Sequence, residues 1–428
     1  MNVLSFLSYC LSFCLPPFLL VAGIYFFVAL SGFPLRYPRR ILRAAFFGDA
    51  ASRRALFLSL AGTLGVGNIA GVGVALAVGG EGAVFWLFVG GIVATVLKYA
   101  EVTLSLDARP KAKRSRGALD YIAPTLGRGA ALLFALLSVT LSLLMGSLLQ
   151  GSVIRTAADT LLPVHPLSIG LLLFGITALL FFGGRRTVER LTGIVIPWLT
   201  LLYCLLAVMI VFVNITSLPS VIRRILCEAF SLRSVGGGIL GIGILRAMRA
   251  GIGKGLFSNE AGAGTAPFAH GDAEVHPAQQ GLYGVLEVAI DTLLMCTLTA
   301  LAVLSAFDTL PPLSGTALVS AAFSSVYGRA AGGLVALSVI LFSYATVACW
   351  VSYGQSALMH LTSHRPLHTL YAFFFCALLP IGAFLGEGNA FSLCDAVLAL
   401  MTFLNTAALL KNTRRIRALS DEYLLLTK

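Results

Sequence analysis

The sequence predicts an all-α integral membrane protein, and three observations support this fold class: the composition, the long apolar runs and the positions of the basic residues. Of the 428 residues, 58% are hydrophobic and only 11% are charged, whereas about 25% of the residues in a soluble domain are charged. Such a chain has too few charged groups to cover its surface towards water. Most of it must therefore contact lipid or other apolar helices.

Apolar runs such as Phe13–Gly32 and Leu191–Val213 have the length of membrane spans, because a helix needs about 20 apolar residues to cross the hydrocarbon. They lack the polar–apolar alternation that is typical of a membrane β-strand, which favours helices over a barrel. Eleven spans are predicted, at residues 13–33, 55–80, 82–106, 118–151, 168–184, 191–214, 235–257, 277–304, 331–361, 367–386 and 390–410.

Most basic residues lie at alternate junctions between these spans, and this arrangement predicts the topology. The clusters fall in the segments 33–54, 107–117 and 185–190 and in the tail 411–428. Placing them on the inner side satisfies the positive-inside rule, so we expect the N-terminus outside and the C-terminus in the cytoplasm. The net charge of +12 then reflects topology and not a nucleic-acid-binding surface.

Two outer segments, Leu218–Ser234 and Leu313–Gly328, are too long for bare loops, and we expect short helices there across the extracellular mouth. The eight cysteines contain no C-x-x-C pair and lie mostly within apolar runs. We interpret them as small buried side chains and not as a disulfide framework. The first basic residue is Arg36, so no cleaved signal peptide is expected.

Glycines are concentrated in the second and seventh spans. The second contains GTLGVGNIAG (62–71), and the seventh contains three glycines in succession, Gly236–Gly238. Close helix packing explains single small residues, but each glycine costs a helix about 1 kcal/mol relative to alanine, so we predict that both spans unwind. Spans five apart cross in opposite directions, and such paired interruptions indicate an inverted-repeat secondary transporter with its site at mid-membrane.

The predicted organisation is a single membrane transport domain over residues 1–428. No low-complexity linker marks a second domain. The parts of this domain are an additional N-terminal helix (13–33), a first five-helix repeat (55–214), a second five-helix repeat (235–410) and a basic cytoplasmic tail (411–428).

One alternative interpretation concerns the spacing Gly65-x-Gly67-x-x-Ala70, which also matches a dinucleotide-binding turn with Glu81 downstream. That fold requires a strand before the turn and a soluble βαβ unit around it. Both flanks are apolar spans without alternating strands and helices, so we reject the nucleotide interpretation.

Three stretches of the sequence resemble a known family. They are GTLGVGNIAGVGVALAVGGEGAVFW followed by KYAEVTLS, GIGKGLFSNEAGAGTAPFAH followed by HPAQQGLYGVLEVAIDTLLMCTLTALAVL, and FSYATVACWVSYGQ. Together they resemble the alanine/glycine:cation symporters, also called sodium:alanine symporters, of the APC superfamily. The resemblance implies a leucine-transporter-type fold, in which one helix precedes ten core helices in a 5+5 inverted repeat; this agrees with the eleven predicted spans.

The resemblance also implies import of alanine or glycine with Na⁺, or with H⁺ in some members. An unwound helix offers free N–H groups to a carboxylate and free carbonyls to a cation. Matched by motif, the implied substrate-binding residues are Val66, Gly67, Asn68, Gln150, Gly237, Gly238, Ile239, Thr346 and Trp350. The implied Na⁺ site uses carbonyls near Ala61 and Leu64 with Thr346 or a neighbouring hydroxyl.

Several positions depart from the family pattern. Val66 stands where threonine is usual, Ile239 where phenylalanine is expected and Ser147 where asparagine is expected. The segment GALDYI (117–122) also differs from a GGPMYYI-like pattern. These differences leave the substrate preference and the coupling ion open, while the fold is unaffected.

Glu287 and Asp291 are four residues apart and therefore lie on one face of the eighth span. Ionisable groups inside the membrane are functional candidates. Asp291 matches the family's IDT, whereas Glu287 stands where glycine is usual. The sequence leaves two roles open: a structural pairing with Arg246 or Arg249, and proton coupling.

Three further groups are expected near the inner side. Glu101 in KYAEV is expected to be paired locally at the end of its span, and Glu260 in SNEAG to lock the inner gate by hydrogen bonds. HGDAEVH (270–276) has the alternation of a metal site, but no motif such as H-E-x-x-H accompanies it. We therefore interpret it as a solvated loop.

The prediction is a cation-coupled symporter of the bacterial plasma membrane that imports alanine or glycine by alternating access, as a monomer and without a cofactor. No G-x-S-x-G motif or His-rich span supports a membrane enzyme, and a carboxylate site at a half-helix argues against a channel. Because Val66 alters the site, two alternatives stay open: an H⁺-coupled transporter of another small amino acid, and a non-transporting amino-acid sensor.

Overall fold

The computed structural model describes residues 3–41, 49–110, 117–231 and 242–426, and in these ranges the chain forms helices and no strands. The helices of the first half are α1 (Val3–Ala29), α2 (Phe33–Arg36), α3 (Ala50–Thr63), α4 (Val66–Gly79), α5 (Ala83–Asp107), α6 (Leu119–Leu126), α7 (Arg128–Leu161) and α8 (Pro166–Val213). Those of the second half are α9 (Leu218–Ala229), α10 (Ile242–Asn259), α11 (Ala266–His270), α12 (Pro277–Ala306), α13 (Gly315–Tyr327), α14 (Arg329–Leu361), α15 (Arg365–Phe384), α16 (Glu387–Lys411) and α17 (Thr413–Leu426).

Seven segments of the described chain are long and apolar enough to cross a membrane, namely α5, α7, the second half of α8, α12, α14, α15 and α16. Helices α3 and α4 satisfy the same criteria together and form an eighth candidate, bent by 46°. Shorter apolar helices occur at Phe13–Ala29, Pro166–Phe181 and Gly315–Tyr327. The protein is therefore a multi-pass membrane protein that is helical in its described ranges, whereas the division into eleven spans stays a prediction.

Three of the predicted spans differ from the structure. The span 118–151 is displaced, because Gly127 (φ 95°) separates the short helix α6 from α7, which continues to Leu161. The spans 168–184 and 191–214 lie in one helix, α8, with no loop between them. The intervening Arg185–Leu191 contains good helix formers and no proline, and the 48 residues of α8 extend about 72 Å, roughly two hydrocarbon thicknesses.

Three of the helices contain a π-helical turn: Val66–Gly71 in α4, Leu144–Leu148 in α7 and Ala289–Cys296 in α12. A π-helical turn widens the backbone locally and frequently marks a functional site. The first and third of these turns contact each other, and the first also contacts α7, α10 and α14. The interior of the bundle is therefore least regular where these helices meet.

The two segments expected to form short outer helices do so, as α9 and α13, and both are held by carboxylates. Glu228 Oε2 accepts a hydrogen bond from the Glu81 N–H (2.7 Å), and Arg224 pairs with the Glu81 carboxylate (2.9 Å). Glu387 accepts bonds from the N–H and the hydroxyl of Thr316 at the start of α13. We call this end of the bundle the α9 end.

The basic tail 411–428 is helical over most of its length, as α17, and lies at the opposite end of the bundle, the α17 end. Tyr99 Oη and Ser420 Oγ are 2.7 Å apart, and Arg415 forms a two-bond pair with Asp107 at the end of α5. Helix α17 also contacts the first turns of α12. It therefore joins α5 to α12 at this end.

Candidate functional site

The predicted unwinding of the second span occurs between α3 and α4. Helix α3 ends at Thr63, Leu64 is extended and Gly65 has a φ of 124°. Only glycine suits this position, because the conformation disfavours a side chain and a Cβ would lie 2.5 Å from the Cβ of Phe342. The Gly65 N–H donates to Asn68 Oδ1 (2.9 Å), which fixes the turn from the α4 side.

The break exposes the last carbonyls of α3 to a hydroxyl of α14. Thr346 Oγ1 lies 2.9 Å from the Ala61 carbonyl oxygen and 3.3 Å from that of Leu64. The Phe342 carbonyl oxygen is 3.1 Å from the same hydroxyl. Four oxygens thus converge, and oxygen is the ligand atom that hard cations take. The structure brings the three residues of the predicted ion site into direct contact.

The first turn of α4 provides hydrogen-bond donors, whereas the end of α3 provides acceptors. The N–H groups of Val66 and Gly67 precede the bond that the Ile69 N–H donates to the Gly65 carbonyl oxygen and have no acceptor within the helix, and the helix dipole adds partial positive charge there. Val66 is buried, and a Cβ at Gly67 would lie 2.5 Å from the Cα of Ser258. The backbone at this turn therefore packs directly against α10.

Asn68 belongs to a buried polar group that we call the Asp291 node, made of Asn68, Ser258, Asp291 and Thr292. Asn68 Nδ2 donates to Asp291 Oδ1 (2.9 Å) and to the Asp291 carbonyl oxygen (2.6 Å). The hydroxyls of Ser258 and Thr292 donate to Asp291 Oδ2 at 2.8 and 2.7 Å. The node joins α4, α10 and α12, and its carboxylate is solvated by neutral donors.

Gln150 and Trp350 keep polar atoms free in the buried interior. Gln150 Nε2 donates to the Met145 carbonyl oxygen (2.9 Å), while Gln150 Oε1 and Trp350 Nε1 have no partner among the described residues. Trp350 packs against the backbone of α7. A Cβ added at Gly146 would lie 2.3 Å from the Cβ of Trp350. Helices α7 and α14 both contact the Val66–Gly71 turn. Gln150 Oε1 and Trp350 Nε1 therefore lie on two helices next to this turn.

Two groups of predicted positions remain apart from this arrangement. Gly237, Gly238 and Ile239 lie outside the described residues, so the seventh span is described only from Ile242 onwards. Ser147, one of the departures from the family pattern, donates its hydroxyl to the Phe375 carbonyl oxygen. Its bond ties α7 to α15.

A second buried polar group lies nearer the α17 end, and we call it the Lys98 cluster: Lys98, His270, Gln280 and Glu287. Lys98 Nζ is 3.0 Å from Glu287 Oε1, and His270 Nε2 is 3.3 Å from Glu287 Oε2. Gln280 Nε2 lies 2.8 Å from His270 Nδ1. All four residues have no exposed surface, so this cluster is an ion pair extended by a histidine.

The arginine partners considered for Glu287 are engaged elsewhere. Arg246 Nε donates to the Val78 carbonyl oxygen, and the Arg249 guanidinium lies over the Phe13 ring at 5.6 Å. The structural pairing of Glu287 is therefore real, but its partner is Lys98 on α5. The reason is geometric, because α5 packs along α12 over much of its length.

The expectation for the SNEAG segment is also corrected. Glu101 interacts electrostatically with Lys98 on its own helix, and it also reaches a distant segment: its Oε2 accepts the Gly262 N–H at 2.7 Å, and Asn405 Nδ2 donates to the Gly262 carbonyl oxygen at 2.8 Å. Both Glu260 carboxylate oxygens are buried without a hydrogen-bond partner among the described residues. Glu101, and not Glu260, thus holds this segment by hydrogen bonds.

The solvated-loop interpretation of residues 270–276 is wrong at its first residue. His270 is fully buried, and His276 is half-buried and caps α12, where its Nδ1 accepts the Ala278 N–H at 3.2 Å. Within the described ranges, no three His, Cys, Asp or Glu side chains are grouped as a metal site would require. His270 is therefore enclosed by the protein, whereas His276 is half-buried at the start of a helix.

Sequence reasoning missed five polar residues that the structure brings to these groups: Ser258, Thr292, Lys98, His270 and Gln280. Lys98 had a signal, because a lysine within an apolar run three residues before Glu101 shares its helix face. Ser258 and Thr292 had none beyond their neighbours in sequence, because serine and threonine are common in membrane helices and satisfy themselves within the helix.

Membrane-length helices surround an interrupted helix whose free carbonyls and N–H groups meet buried polar side chains, and this combination defines a multi-pass membrane transporter. The chain belongs to the sodium:alanine symporter family, whose sequence profile matches residues 2–427. It is accordingly a sodium/amino-acid symporter and not an enzyme, with Na⁺ as the implied co-transported ion.

Three relatives illustrate the breadth of this similarity. The chain is 32% identical to the probable sodium/glutamine symporter of Bacillus subtilis, over 91% of this chain and 84% of the relative. It is 32% identical to an amino-acid carrier protein of the same organism, over 85% and 78% of the two chains. It is 29% identical to the sodium/alanine symporter of Methanococcus maripaludis, over 96% and 95%.

Proposed function

We propose that this protein imports alanine, glycine or a similarly small neutral amino acid together with Na⁺, by alternating access between two inverted five-helix repeats of the leucine-transporter type. The observation that supports this most directly is the convergence of Thr346 with the carbonyls of Ala61 and Leu64 at the break between α3 and α4. In this proposal the break would provide a cation site and an anion site within one interrupted helix.

In this proposal the ion is bound by oxygens that carry no formal charge. Na⁺ would lie between the carbonyls of Ala61 and Leu64 and the hydroxyl of Thr346. Because each carbonyl belongs to the broken end of α3 and the hydroxyl to α14, a bound ion would hold these two helices together. Ion binding would then favour one arrangement of the bundle over the other.

The substrate carboxylate would bind the free N–H groups of Val66 and Gly67, with Asn68 beside them, where helix dipole and unpaired donors both favour an anion. Gln150 Oε1 and Trp350 Nε1 are unpaired polar atoms on two helices that contact this turn, and they would complete the site. The Trp350 indole would limit the side chain to a small group. Gly237, Gly238 and Ile239 would approach from the second interrupted helix.

Asp291 acts in this proposal as a positioning residue. Its carboxylate holds Asn68 of α4, Ser258 of α10 and Thr292 of α12 in one network. Movement of α4 on binding of ion and substrate would therefore be transmitted to α10 and α12. The carboxylate would also lower the electrostatic cost of bringing a cation into this part of the bundle.

The proposed orientation follows the basic residues. With the α17 end in the cytoplasm and the α9 end outside, the clusters in 33–54 and 107–117 face the cytoplasm, as the positive-inside rule requires. Helices α9 and α13 then cover the external side. The protein would lie in a bacterial plasma membrane as a single transport domain, active as a monomer and surrounded by lipid.

The proposal is tested by uptake into proteoliposomes that contain the purified protein. Radiolabelled alanine and glycine are offered under an inward Na⁺ gradient, with choline in place of Na⁺ and a H⁺ gradient as comparisons, and unlabelled amino acids including glutamine as competitors. We expect uptake that needs Na⁺ and is competed by small neutral amino acids. Binding without counterflow would favour the sensor, and uptake driven only by H⁺ would favour the proton-coupled alternative.

A further inference from the structure

The Lys98 cluster contains more ionisable groups than an ion pair needs, and they are completely enclosed. We propose that His270, held between Gln280 and Glu287, is a proton-binding site whose occupancy controls opening of the bundle at the α17 end. The consequence for transport depends on the proposed function, whereas the binding of the proton does not.

The hydrogen bonds define the proton-free state of this site. Gln280 Nε2 is a donor, so His270 Nδ1 must accept at 2.8 Å. The neutral imidazole then carries its hydrogen on Nε2, which faces Glu287 Oε2 at 3.3 Å. Glu287 in turn faces Lys98 Nζ at 3.0 Å. Every contact in this chain has one donor and one acceptor, so the neutral histidine is satisfied.

The same residues also provide a proton-bound state. Protonation places a hydrogen on His270 Nδ1, which then needs an acceptor. Gln280 Oε1 is buried and without a partner among the described residues, and rotation of the amide by half a turn brings this oxygen to Nδ1. Both nitrogens of the imidazolium would then donate, one to an amide oxygen and one to a carboxylate.

The surrounding charges favour the additional proton. Lys98 interacts electrostatically with the carboxyl groups of Glu101 and Glu260 in addition to that of Glu287, so the charge around the Lys98 ammonium is acidic whenever Glu101 or Glu260 is ionised. A second positive charge on His270 would reduce this imbalance. A metal ion is disfavoured at the same place, because the Lys98 ammonium already occupies one side of the Glu287 carboxylate.

Several ionisable residues lie on the elements packed against α11. They are Lys98 and Glu101 on α5, Arg53 and Arg54 at the start of α3, Tyr353 on α14, and Glu287 and Asp291 on α12. Glu260 and Asp272 lie on the adjoining segments, and Arg109 donates to the Ala273 carbonyl oxygen at 3.3 Å. Arg53 and Arg54 are at least partly exposed to solvent, so the enclosed charges nearest to His270 are Lys98 and the carboxyl groups. The balance around the imidazole is acidic.

The position of His270 links its proton to gating. It is the last residue of α11, which follows the 260–265 segment that Glu101 and Asn405 hold at Gly262. A hydrogen bond between an imidazolium and a carboxylate is about twice as strong as one between neutral partners. The proton-bound state would therefore clamp α11 to α12, and loss of the proton would ease separation of these elements.

The test compares wild type with His270→Gln in proteoliposomes, with the same pH on both sides and a fixed inward Na⁺ gradient. A glutamine can retain both hydrogen bonds of the neutral histidine but cannot take up a proton. We expect the wild-type uptake rate to fall about fivefold or more between pH 8 and pH 6, and the rate of the variant to fall clearly less. His276→Gln, a histidine of the same loop outside the cluster, should keep the wild-type pH profile.

A second variant makes the test independent of how well the first one folds. In Gln280→Glu a carboxylate faces Nδ1, which favours the protonated imidazole, so the midpoint of the pH profile should move upward by about one unit or more. Retention of the wild-type profile by His270→Gln, or an unshifted midpoint in Gln280→Glu, would overturn the proposal.

Thermal unfolding separates this proposal from the proposed function. In detergent, without substrate, the wild-type melting temperature relative to that of His270→Gln should rise as the pH falls from 8 to 6, because the folded wild type binds the proton more tightly than the unfolded chain does. If no amino acid is taken up under any gradient, the proposed function fails while this difference still measures the site. A difference that is independent of pH, or that falls as the pH falls, would remove the proton site and leave the transport proposal intact.

Discussion

Asp291 and Glu287 lie on the same face of α12, one turn apart, and both are completely buried, yet the protein stabilises their charges in different ways. Asp291 is surrounded by an amide and two hydroxyls from three helices. Glu287 is paired with the Lys98 ammonium and bonded to His270. Neutral donors can rotate and find new partners, whereas a buried ion pair becomes costly as soon as it separates.

This difference suggests a division of labour along α12. The Asp291 node adjoins the interrupted helix, where groups must rearrange when ion and substrate bind. The Lys98 cluster lies nearer the α17 end, where α17 joins α5 to α12. Helix α12 can therefore rearrange at its π-helical turn, which contains Asp291. Nearer the α17 end it is firmly attached to α5 through Glu287 and Lys98.

The largest effect is expected from breaking the ion pair on one side. Lys98→Met leaves Glu287 buried without its cation and should lower the free energy of unfolding by about 3–5 kcal/mol. The double variant Lys98→Met/Glu287→Met should recover most of this loss, because it removes both charges. Denaturant or thermal unfolding in detergent measures both variants.

Arg415→Met is the matched control for that experiment, since it removes a cation from a pair that is partly exposed. It should cost no more than about 1 kcal/mol. A Lys98→Met protein as stable as this control would show that the buried pair contributes little.

A substitution in the Asp291 node should have a smaller effect on the free energy of unfolding. Asp291→Asn keeps the shape and allows the hydroxyls of Ser258 and Thr292 to reorient, so we expect a loss of about 1–2 kcal/mol. Na⁺-driven uptake should fall by about tenfold, the equivalent of 1.4 kcal/mol, because the network that couples α4 to α10 and α12 is weakened. Equal uptake by variant and wild type would contradict the positioning role.

Thr346→Val removes the hydroxyl that faces Ala61 and Leu64 while keeping its shape. The Na⁺ concentration for half-maximal uptake should rise about tenfold, since one of the neutral oxygen ligands is lost. The measurement is uptake against Na⁺ at constant ionic strength, with Thr297→Val, a half-buried threonine on α12, as a control that should leave this concentration unchanged. A Na⁺ dependence that Thr346→Val does not change would place the ion elsewhere.

The carboxylate of Asp49 is exposed and can be compared with the buried carboxylates of Asp291 and Glu287. Burial raises the pKa of Asp49, but the hydrogen bonds from Ser52 lower it more, so the pKa lies below its ordinary value. Asp49→Ala should cost about 1 kcal/mol as the loss of a helix N-cap. Since the folded-state pKa is depressed, this contribution is present above about pH 4 and disappears as the pH falls through the folded value, which unfolding at pH 7 and pH 3 would show.

The smallest effect is expected at Val66. Val66→Thr restores the hydroxyl that is usual in the family and should change the relative uptake of alanine, glycine and serine by about two- to fivefold, on the order of 0.5–1 kcal/mol. Competition assays with these amino acids measure the change. An unaltered selectivity would mean that position 66 does not face the substrate.

The interrupted second span could be predicted from sequence because its cause is local. Gly65 has a backbone conformation that suits glycine, and clustered glycines are visible in one sequence. The shared face of Glu287 and Asp291 is likewise a matter of helical spacing. The fold class and the helical outer segments α9 and α13 follow from composition and segment length.

Partners of buried groups could not be predicted in the same way, because they depend on how distant helices pack. Lys98 and Glu287 belong to different halves of the chain, and Arg246 was an equally reasonable partner by charge alone. His270 was missed for the opposite reason, since its polar neighbours in HGDAEVH suggest solvent. The continuous helix α8 escaped prediction because a charged segment without proline fits both a loop and a helix.

The packing of α14 against the end of α3 places a native thiol at the break. Cys349 Sγ donates to the Leu58 carbonyl oxygen at 3.2 Å and lies 3.1 Å from where a Cβ of Gly62 would be. A buried thiol reacts with alkylating reagents only while the helices around it are apart. Exposed thiols such as Cys14 and Cys227 can be blocked first. The alkylation rate of Cys349 then measures the fraction of time for which the break is open.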